Sequence, residues 1–187
     1  AIGESLAAVK DAVSLLIADA SKLSDAAISG TLETRADASK HGGEFAKIVN
    51  GVNATLDAVI APVNEASAVL QEMAKGNLQV MMEGNYRGDH AAIKTAMNET
   101  LVNIRSYVNE ISEVLAEISE GNLNLAITAD YKGDFVTIKD SLNNIIQSLS
   151  QVLGDISEAS EQVASGSRQV SDGSQTLSQG STEQASA

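Results

Sequence analysis

The sequence predicts an all-α protein made of parallel homodimeric four-helix bundles, stacked in series and continuing into a coiled coil. Three observations carry this prediction: a repeat of 45 residues, apolar residues at heptad spacing, and an aromatic content of only 3%. A chain with so few large side chains has little material for a globular core. A long helix, by contrast, needs to bury only a narrow apolar stripe.

Two copies of the repeat share short motifs that contain glycine. Gly76-Asn77-Leu78 corresponds to Gly121-Asn122-Leu123, and Tyr86-Arg87-Gly88-Asp89 corresponds to Tyr131-Lys132-Gly133-Asp134. A weaker third copy lies upstream, around Gly43-Glu44-Phe45. Each copy reads as a module with a helix, a connector and a second helix. The predicted modules are residues 6–61, 62–107 and 108–156, and a further helix follows over 157–187.

The second helix of each module shows the heptad most clearly. Its apolar residues alternate between spacings of three and four, and we call this line of residues the seam. The pattern predicts long helices over residues 45–74, 90–119 and from 135 onward. The packing residues that we predict on and beside the seam are Phe45, Ile48, Val52, Ile93, Met97, Leu101, Ile104, Ile138, Leu142, Ile145, Ile146 and Leu149.

The apolar stripe is wider than the seam, because the next position is apolar as well, as at Leu101 and Ile146. A stripe of this width suits a helix that touches two neighbours, and four helices are the natural number for such a bundle. One module supplies two helices, so a homodimer would complete the bundle. An antiparallel monomeric bundle would satisfy the same stripe.

Pro62 falls inside one of the predicted helices. A proline in a helix interior costs about 3 kcal/mol, whereas the first turn of a helix accepts it without this cost. We therefore interpret Pro62 as the junction at which one module ends and the next begins.

The connectors are about 13 residues long, for example from Gly121 to Gly133, whereas links between helices in bundles usually have about 2–8 residues. The extra length predicts a connector that runs back along the bundle between two parallel helices. Asp89 and Asp134 stand where they could cap the second helices. The alternating apolar residues of the third connector, which could pack on the bundle, are Leu123, Leu125 and Ile127. The residues predicted to shape the connectors are Gly76, Leu78, Gly88, Gly121, Leu123 and Gly133.

Charge and composition exclude several classes of function. A net charge of −13 provides no basic surface for nucleic acid or for anionic lipid, so we expect neither as a partner and no direct membrane contact. There is no cysteine, catalytic triad, phosphate loop or metal-ligand motif, so we expect no enzyme activity, no metal and no cofactor. We expect His41 to lie in a solvated turn and His90 to be a packing residue at a helix start.

No apolar run approaches the length of about 20 residues that crosses a bilayer. The chain opens and stops in the middle of its pattern. We therefore expect a cytoplasmic segment of a longer protein.

The motifs resemble those of the HAMP domain of sensor kinases and chemoreceptors over residues 6–155. In that family a first helix leads to a connector with a Gly-x-Leu element. An Asp-Glu-x-Gly-like motif then precedes a second helix with a characteristic Asn. The chain departs from the family at the Glu, and the residues that stand there are His41, Tyr86 and Tyr131. The resemblance implies a parallel homodimer that relays signals.

The characteristic Asn is matched by Asn98 and Asn143, and Asn53 stands at the equivalent position upstream. These residues lie one position beyond the seam. Exposure to solvent and hydrogen bonding to the connector both fit that position. The resemblance favours the connector.

Residues 157–187 are rich in Ser, Gln, Gly and Glu but retain a seven-residue echo, which favours a loose coiled coil over a flexible linker. The final residues resemble the start of the methylation helix of methyl-accepting chemotaxis proteins. That resemblance implies modification of Gln184 by a deamidase and a methyltransferase. It also implies contact with a histidine kinase and an adaptor at a distal tip outside this segment. The heptad directs Gln184 inward, so enzyme access would require a register skip after Ile156.

The function that we expect is intramolecular signal relay through tandem modules of a chemoreceptor to a kinase-controlling coiled coil. Two alternatives stay open, a structural coiled-coil spacer and a helical bundle that senses a ligand. A spacer would not need an interrupted heptad. A ligand site would need inward polar or aromatic residues, which the seam hardly contains.

Overall fold

The computed structural model describes residues 2–186 and consists of helices and irregular segments over that range, with no β-strand. The helices are α1 (Ile2–Ile28), α2 (Gly43–Ala74), α3 (Asp89–Ser119) and α4 (Phe135–Ala185). The predicted all-α class and the three predicted long helices are confirmed. The segments between helices are the first connector (29–42, with a 3-10 turn at Ala38–Lys40), the second connector (75–88) and the third connector (120–134).

The chain divides into two compact units, the first ending at Arg105 and the second beginning at Ser106. The first unit contains α1, α2, the start of α3 and two connectors. The second unit contains the rest of α3, the third connector and α4.

Glycines in the left-handed conformation end the helices that precede the second and third connectors. The φ angle is 87° at both Gly76 and Gly121, a value that residues with a side chain rarely adopt. The amide of Asn77 donates to the Glu72 carbonyl (3.1 Å), and the amide of Asn122 donates to the Glu117 carbonyl (3.0 Å). This bonding across five residues is the Schellman motif, which satisfies carbonyls that the helix itself leaves free. The helix ends are therefore encoded locally.

The second helices begin differently from the sequence prediction. Asp134 makes no side-chain capping hydrogen bond, and Asp89 is already the first residue of α3. The carbonyl of Gly88, which has a φ of 58°, instead accepts from the amides of Ala91 (3.0 Å) and Ala92 (3.2 Å). Asp134 thus occupies the predicted N-cap position without a capping hydrogen bond, whereas the prediction for Asp89 is wrong, because the Gly88 backbone supplies the acceptor. The negative charge of Asp89 in the first turn still stabilises α3 through the helix dipole.

Pro62 is buried and lies inside α2, which continues without a break from Gly43 to Ala74. The predicted long helix over residues 45–74 therefore includes this proline. The chain accepts a missing backbone hydrogen bond inside the helix. The division into modules at this residue stays a prediction.

Candidate functional site

In each module, the side chain of the recurring Asn forms hydrogen bonds with the backbone of the connector. The Asn98 side chain accepts from the Met82 amide (2.9 Å) and donates to the Met82 carbonyl (3.0 Å). Asn143 makes the same pair with Ile127 at 2.9 and 3.2 Å. Asn53 makes it with Ala36 at 3.1 and 2.8 Å. Of the two roles that the sequence left open, the structure selects bonding to the connector.

The contacts of the second connector reveal the directions of the chain. Its start lies beside the end of α2, where Asn77 donates to Glu72 (3.2 Å). Its end lies further back along α2, where the Tyr86 hydroxyl donates to Glu65 (2.5 Å). The connector therefore runs opposite to α2.

The same connector also runs opposite to α3. The early residue Gln79 contacts Arg105 (3.2 Å), whereas the later carbonyls of Glu83 and Gly84 accept from Lys94 near the helix start (2.9 and 2.8 Å). Since the connector opposes both helices, the two helices are parallel within this module. The predicted run-back along two parallel helices is observed here.

The third connector repeats this arrangement. Asn122 donates to Glu117 near the end of α3 (2.7 Å), and the Tyr131 hydroxyl donates to the carbonyl of Tyr107 (3.2 Å), ten residues earlier in that helix. The Lys139 ammonium group on α4 donates to the Ala129 carbonyl (2.7 Å). This part of the second unit thus has the same chain directions.

Each connector packs apolar side chains against the two helices of its module. Leu101 is 0% exposed, and it forms a cluster with Met82 and Val69. In the second unit Ile146 and Ile127 occupy the equivalent positions, and both are buried. On the second helices, the position beside the seam is therefore the one that is fully buried within one chain, and the seam residues Met97 and Leu142 pack against the two clusters. Leu78 packs against the first cluster and Leu125 against the second.

The seam remains largely open along a single chain. Four predicted packing residues are half-buried, and these are Phe45, Met97, Ile104 and Leu142. Six others keep between 41% and 50% of their surface exposed, and these are Ile48, Val52, Ile93, Ile138, Ile145 and Leu149. The structure therefore leaves the six exposed residues as an apolar edge, while Met97 and Leu142 pack partly against the buried clusters.

The three residues that replace the Glu of the family motif all contact the preceding helix. The His41 imidazole is 0% exposed and lies 2.7 Å from the Asp19 carboxylate, so the predicted solvated turn is wrong. Tyr86 meets Glu65 in the second module, and Tyr131 lies near Glu110 in the third. His90 is half-buried at the start of α3, as expected for a packing residue.

The acids of these three contacts were missed by sequence reasoning. They follow the repeat with offsets of 46 and 45 residues, at Asp19, Glu65 and Glu110. The signal was present as a recurrent carboxylate on each first helix. It passed unnoticed because exposed helices are generally rich in acidic residues.

The electrostatics of these contacts differ between the two tyrosines. The hydrogen bond from Tyr86, with the amides of Glu83 and Gly84, holds the pKa of the Glu65 carboxyl below its ordinary value. The same carboxylate raises the pKa of Tyr86. Burial, followed by the nearby Glu110 charge, raises the pKa of Tyr131 to about 12. Both phenols therefore stay protonated as hydrogen-bond donors at neutral pH.

The C-terminal part of α4 is a continuous helix through Ala185, as the heptad echo predicted. Its apolar residues are open, since Val163, Val170 and Leu177 are 70–74% exposed. Gln184 is exposed and lies one heptad beyond Leu177. No interruption of the helix occurs after Ile156.

Other site types have no support among residues 2–186. No helix in that range combines the length and the apolarity needed to cross a bilayer. No group of three or more His, Cys, Asp or Glu side chains in the same range is arranged to hold a metal ion.

A HAMP domain model matches the chain twice, over residues 40–106 and over residues 95–151. The two matches together cover more than half of the chain and contain the second and third connectors completely. No curated protein and no solved structure matches the chain.

Proposed function

Because the chain belongs to the HAMP domain family, whose members are signal-relay modules in sensor proteins, we propose that it relays conformational signals through tandem modules of a chemoreceptor. One observation carries this proposal. The second and third connectors are each hydrogen-bonded to both helices of their module, which provides a physical link between the first helix and the second. The segment acts mechanically and has no catalytic role.

The partner that we propose is a second copy of this chain, associated in parallel. Each of α2, α3 and α4 carries apolar seam residues that are about half exposed, which a monomer would leave in water. Burial of such an edge stabilises association by about 25 cal/mol for each Å² of apolar surface. A parallel homodimer also brings equal seam residues to the same level.

Two packings of similar energy provide the proposed relay mechanism. Leu101 and Ile146 now pack within the chain, whereas the seam residues beside them are available to the second copy. A small helix rotation would exchange part of one packing for the other. A difference of about 1–3 kcal/mol per module is sufficient for coupling between distant sites.

The proposed output lies beyond Ile156. The α4 helix runs on to Ala185, and we propose its Gln184 as a site of deamidation and methylation, which the enzymes reach through a shift of the heptad register after Ile156. A receptor methyltransferase and deamidase would act there, and a histidine kinase and an adaptor would bind at a distal tip. We therefore also propose that the segment lies in the cytoplasm, where these enzymes and the kinase would act.

Single-cysteine crosslinking tests the parallel dimer and its phase together. Cysteines at Ile138 and Ile145 on the seam should form disulfides between subunits rapidly, and a cysteine at Leu142 more slowly because that side chain is half-buried. A cysteine at Gln147, which is exposed and off the seam, is the matched control. Equal rates at all four positions, or a monomer at high concentration, would refute the proposal.

A further inference from the structure

A carboxylate recurs at one position of the first helix in all three modules. Asp19, Glu65 and Glu110 each lie beside the end of the connector that follows. Their partners include His41, Tyr86 and Tyr131, which stand where the family motif has its Glu. The repetition in three copies indicates a shared mechanical role and not three unrelated surface contacts.

The second module shows the contact most completely. One Glu65 oxygen accepts from the amides of Glu83 (2.6 Å) and Gly84 (3.1 Å), and the other accepts from the Tyr86 hydroxyl (2.5 Å). Three donors from four consecutive connector residues therefore converge on one side chain of α2. Hydrogen bonds to an ionised acceptor are roughly twice as strong as neutral ones.

Gly84 is required for this arrangement. A Cβ atom at that position would lie 2.4 Å from the Tyr86 ring, which crosses directly over the glycine. Any other residue would displace the ring and with it the hydroxyl. The glycine therefore allows the tyrosine to reach the acid.

We propose that Glu65 is a positioning residue that couples the rotation of α2 to the second connector, and that Asp19 and Glu110 have the corresponding role in the other modules. This inference rests on the proposed relay function and identifies the side chain that transmits motion of α2 to the second connector. Asn98 on α3 then transmits this motion to α3, because it is hydrogen-bonded to the backbone of Met82 in the same connector.

The geometry makes the coupling sensitive to rotation. An atom about 6 Å from a helix axis moves by about 2 Å when the helix rotates by about 20°. A displacement of this size exceeds the range over which a hydrogen bond persists. Rotation of α2 must therefore either pull the end of the connector with it or break three hydrogen bonds.

The test uses the full chain with Glu65→Gln and Tyr86→Phe. The matched control is Glu44→Gln, which removes an equal charge from α2 at a side chain that pairs with Lys47 of the same helix (2.7 Å). Amide exchange at Glu83 and Gly84 should increase by about tenfold or more in Glu65→Gln. Exchange at Met82, which Asn98 holds, should stay unchanged in all three variants.

A second measurement reports the relay itself. In each background, single cysteines at Thr100 and Asn103 on α3 report helix rotation through the ratio of their intersubunit disulfide yields. Glu65→Gln should shift this ratio by about twofold or more, Tyr86→Phe should shift it less in the same direction, and Glu44→Gln should not shift it. The pKa of Glu65, followed by carboxyl NMR, should rise toward its ordinary value in Tyr86→Phe.

The outcomes separate the two proposals. Faster exchange at Glu83 and Gly84 with an unchanged disulfide ratio would overturn the positioning role while leaving the relay function intact. Unchanged exchange in Glu65→Gln would overturn the contact on which the role depends. Absence of disulfides at every seam position in the parent chain would refute the dimeric relay, and the exchange data would still test the contact.

Discussion

The second and third connectors have the same backbone path but are tied to their first helices by different chemistry. In the second, the Tyr86 hydroxyl reaches the Glu65 carboxylate across Gly84. In the third, Tyr131 is buried, and its ring lies 4.2 Å from that of Tyr107 between centroids. The second connector is therefore held by a compact charged contact, whereas the third adds aromatic packing to a longer hydrogen bond from the Ala129 amide to Glu110 (3.5 Å).

Two substitutions within the repeat explain why the equivalent tyrosines behave differently. Ala129 stands where the second connector has Gly84, so its Cβ occupies the space that the Tyr86 ring uses. Tyr107 stands where α2 has Pro62 and provides a surface on which Tyr131 can pack. Aromatic pairs in favourable geometry add about 0.5–1.5 kcal/mol beyond burial. The direction of a side chain is thus determined by its neighbours and not by its own motif.

The largest expected effect concerns the buried apolar cluster that each of the two connectors forms with its helices. Leu101→Ala and Ile146→Ala should each lower the free energy of unfolding by about 2–5 kcal/mol, because each leaves a cavity in a buried cluster. Urea denaturation measures the loss. Val102→Ala, at a position 42% exposed, is the control and should cost far less. Equal losses in the control and the core variants would contradict the assignment of the core.

The next effect concerns the Asn contacts, which also occur in both connectors. Asn98→Ala and Asn143→Ala should each cost about 1–3 kcal/mol, because a backbone donor and acceptor lose their partners. Amide exchange at Met82 and Ile127 should accelerate correspondingly. The exposed neighbour Asn144→Ala should leave exchange unchanged, and a similar acceleration in that variant would argue against the contact.

Substitution of the small residue beside each tyrosine should change the second contact but not the third. Gly84→Ala should displace the Tyr86 ring and break its hydrogen bond to Glu65. The pKa of Tyr86, now raised by Glu65, should return toward its ordinary value in an ultraviolet titration. Ala129→Gly should have no such effect on Tyr131. If Gly84→Ala left the Tyr86 titration unchanged, the steric explanation of the difference would fail.

The smallest effect is a pH dependence confined to the charged tie. The pKa of Glu65 is lowered in the folded chain, so its contribution to stability is present above the ordinary value of 4.5 and is lost as the pH falls through the lower folded value. The stability difference between the parent and Glu65→Gln should therefore shrink on acidification. Urea midpoints at neutral and acidic pH measure this change. A difference independent of pH would mean that the carboxylate charge contributes nothing.

The family and the helices were accessible from the sequence because their signals are local or periodic. Glycines at Gly76 and Gly121 indicate helix ends through their conformation, and the heptad indicates the helices between them. The wide stripe also predicted that Leu101 and Ile146 would pack. Asp134 occupies its predicted N-cap position but makes no capping hydrogen bond, because the Gly133 carbonyl accepts from the Val136 amide instead (3.2 Å), which no residue pattern reveals.

The contacts of the connector ends were not accessible in this way. His41 was expected in solvent, yet it is buried against Asp19, which lies 22 residues earlier. A histidine beside two glycines has no local feature that reveals such a partner. Only the path of the connector along the helix brings the two side chains together.

The sequence by itself determined the helices, their glycine ends, the repeat and the apolar stripe, because each depends on backbone preferences or on spacing along one helix. The tertiary structure decided which part of the stripe is buried within one chain and which acid each connector contacts. Those outcomes depend on side chains 16 to 24 residues apart and on the space that a single Cβ atom occupies. Tyr86 and Tyr131 occupy the same place in the repeat, yet packing directs them to different partners.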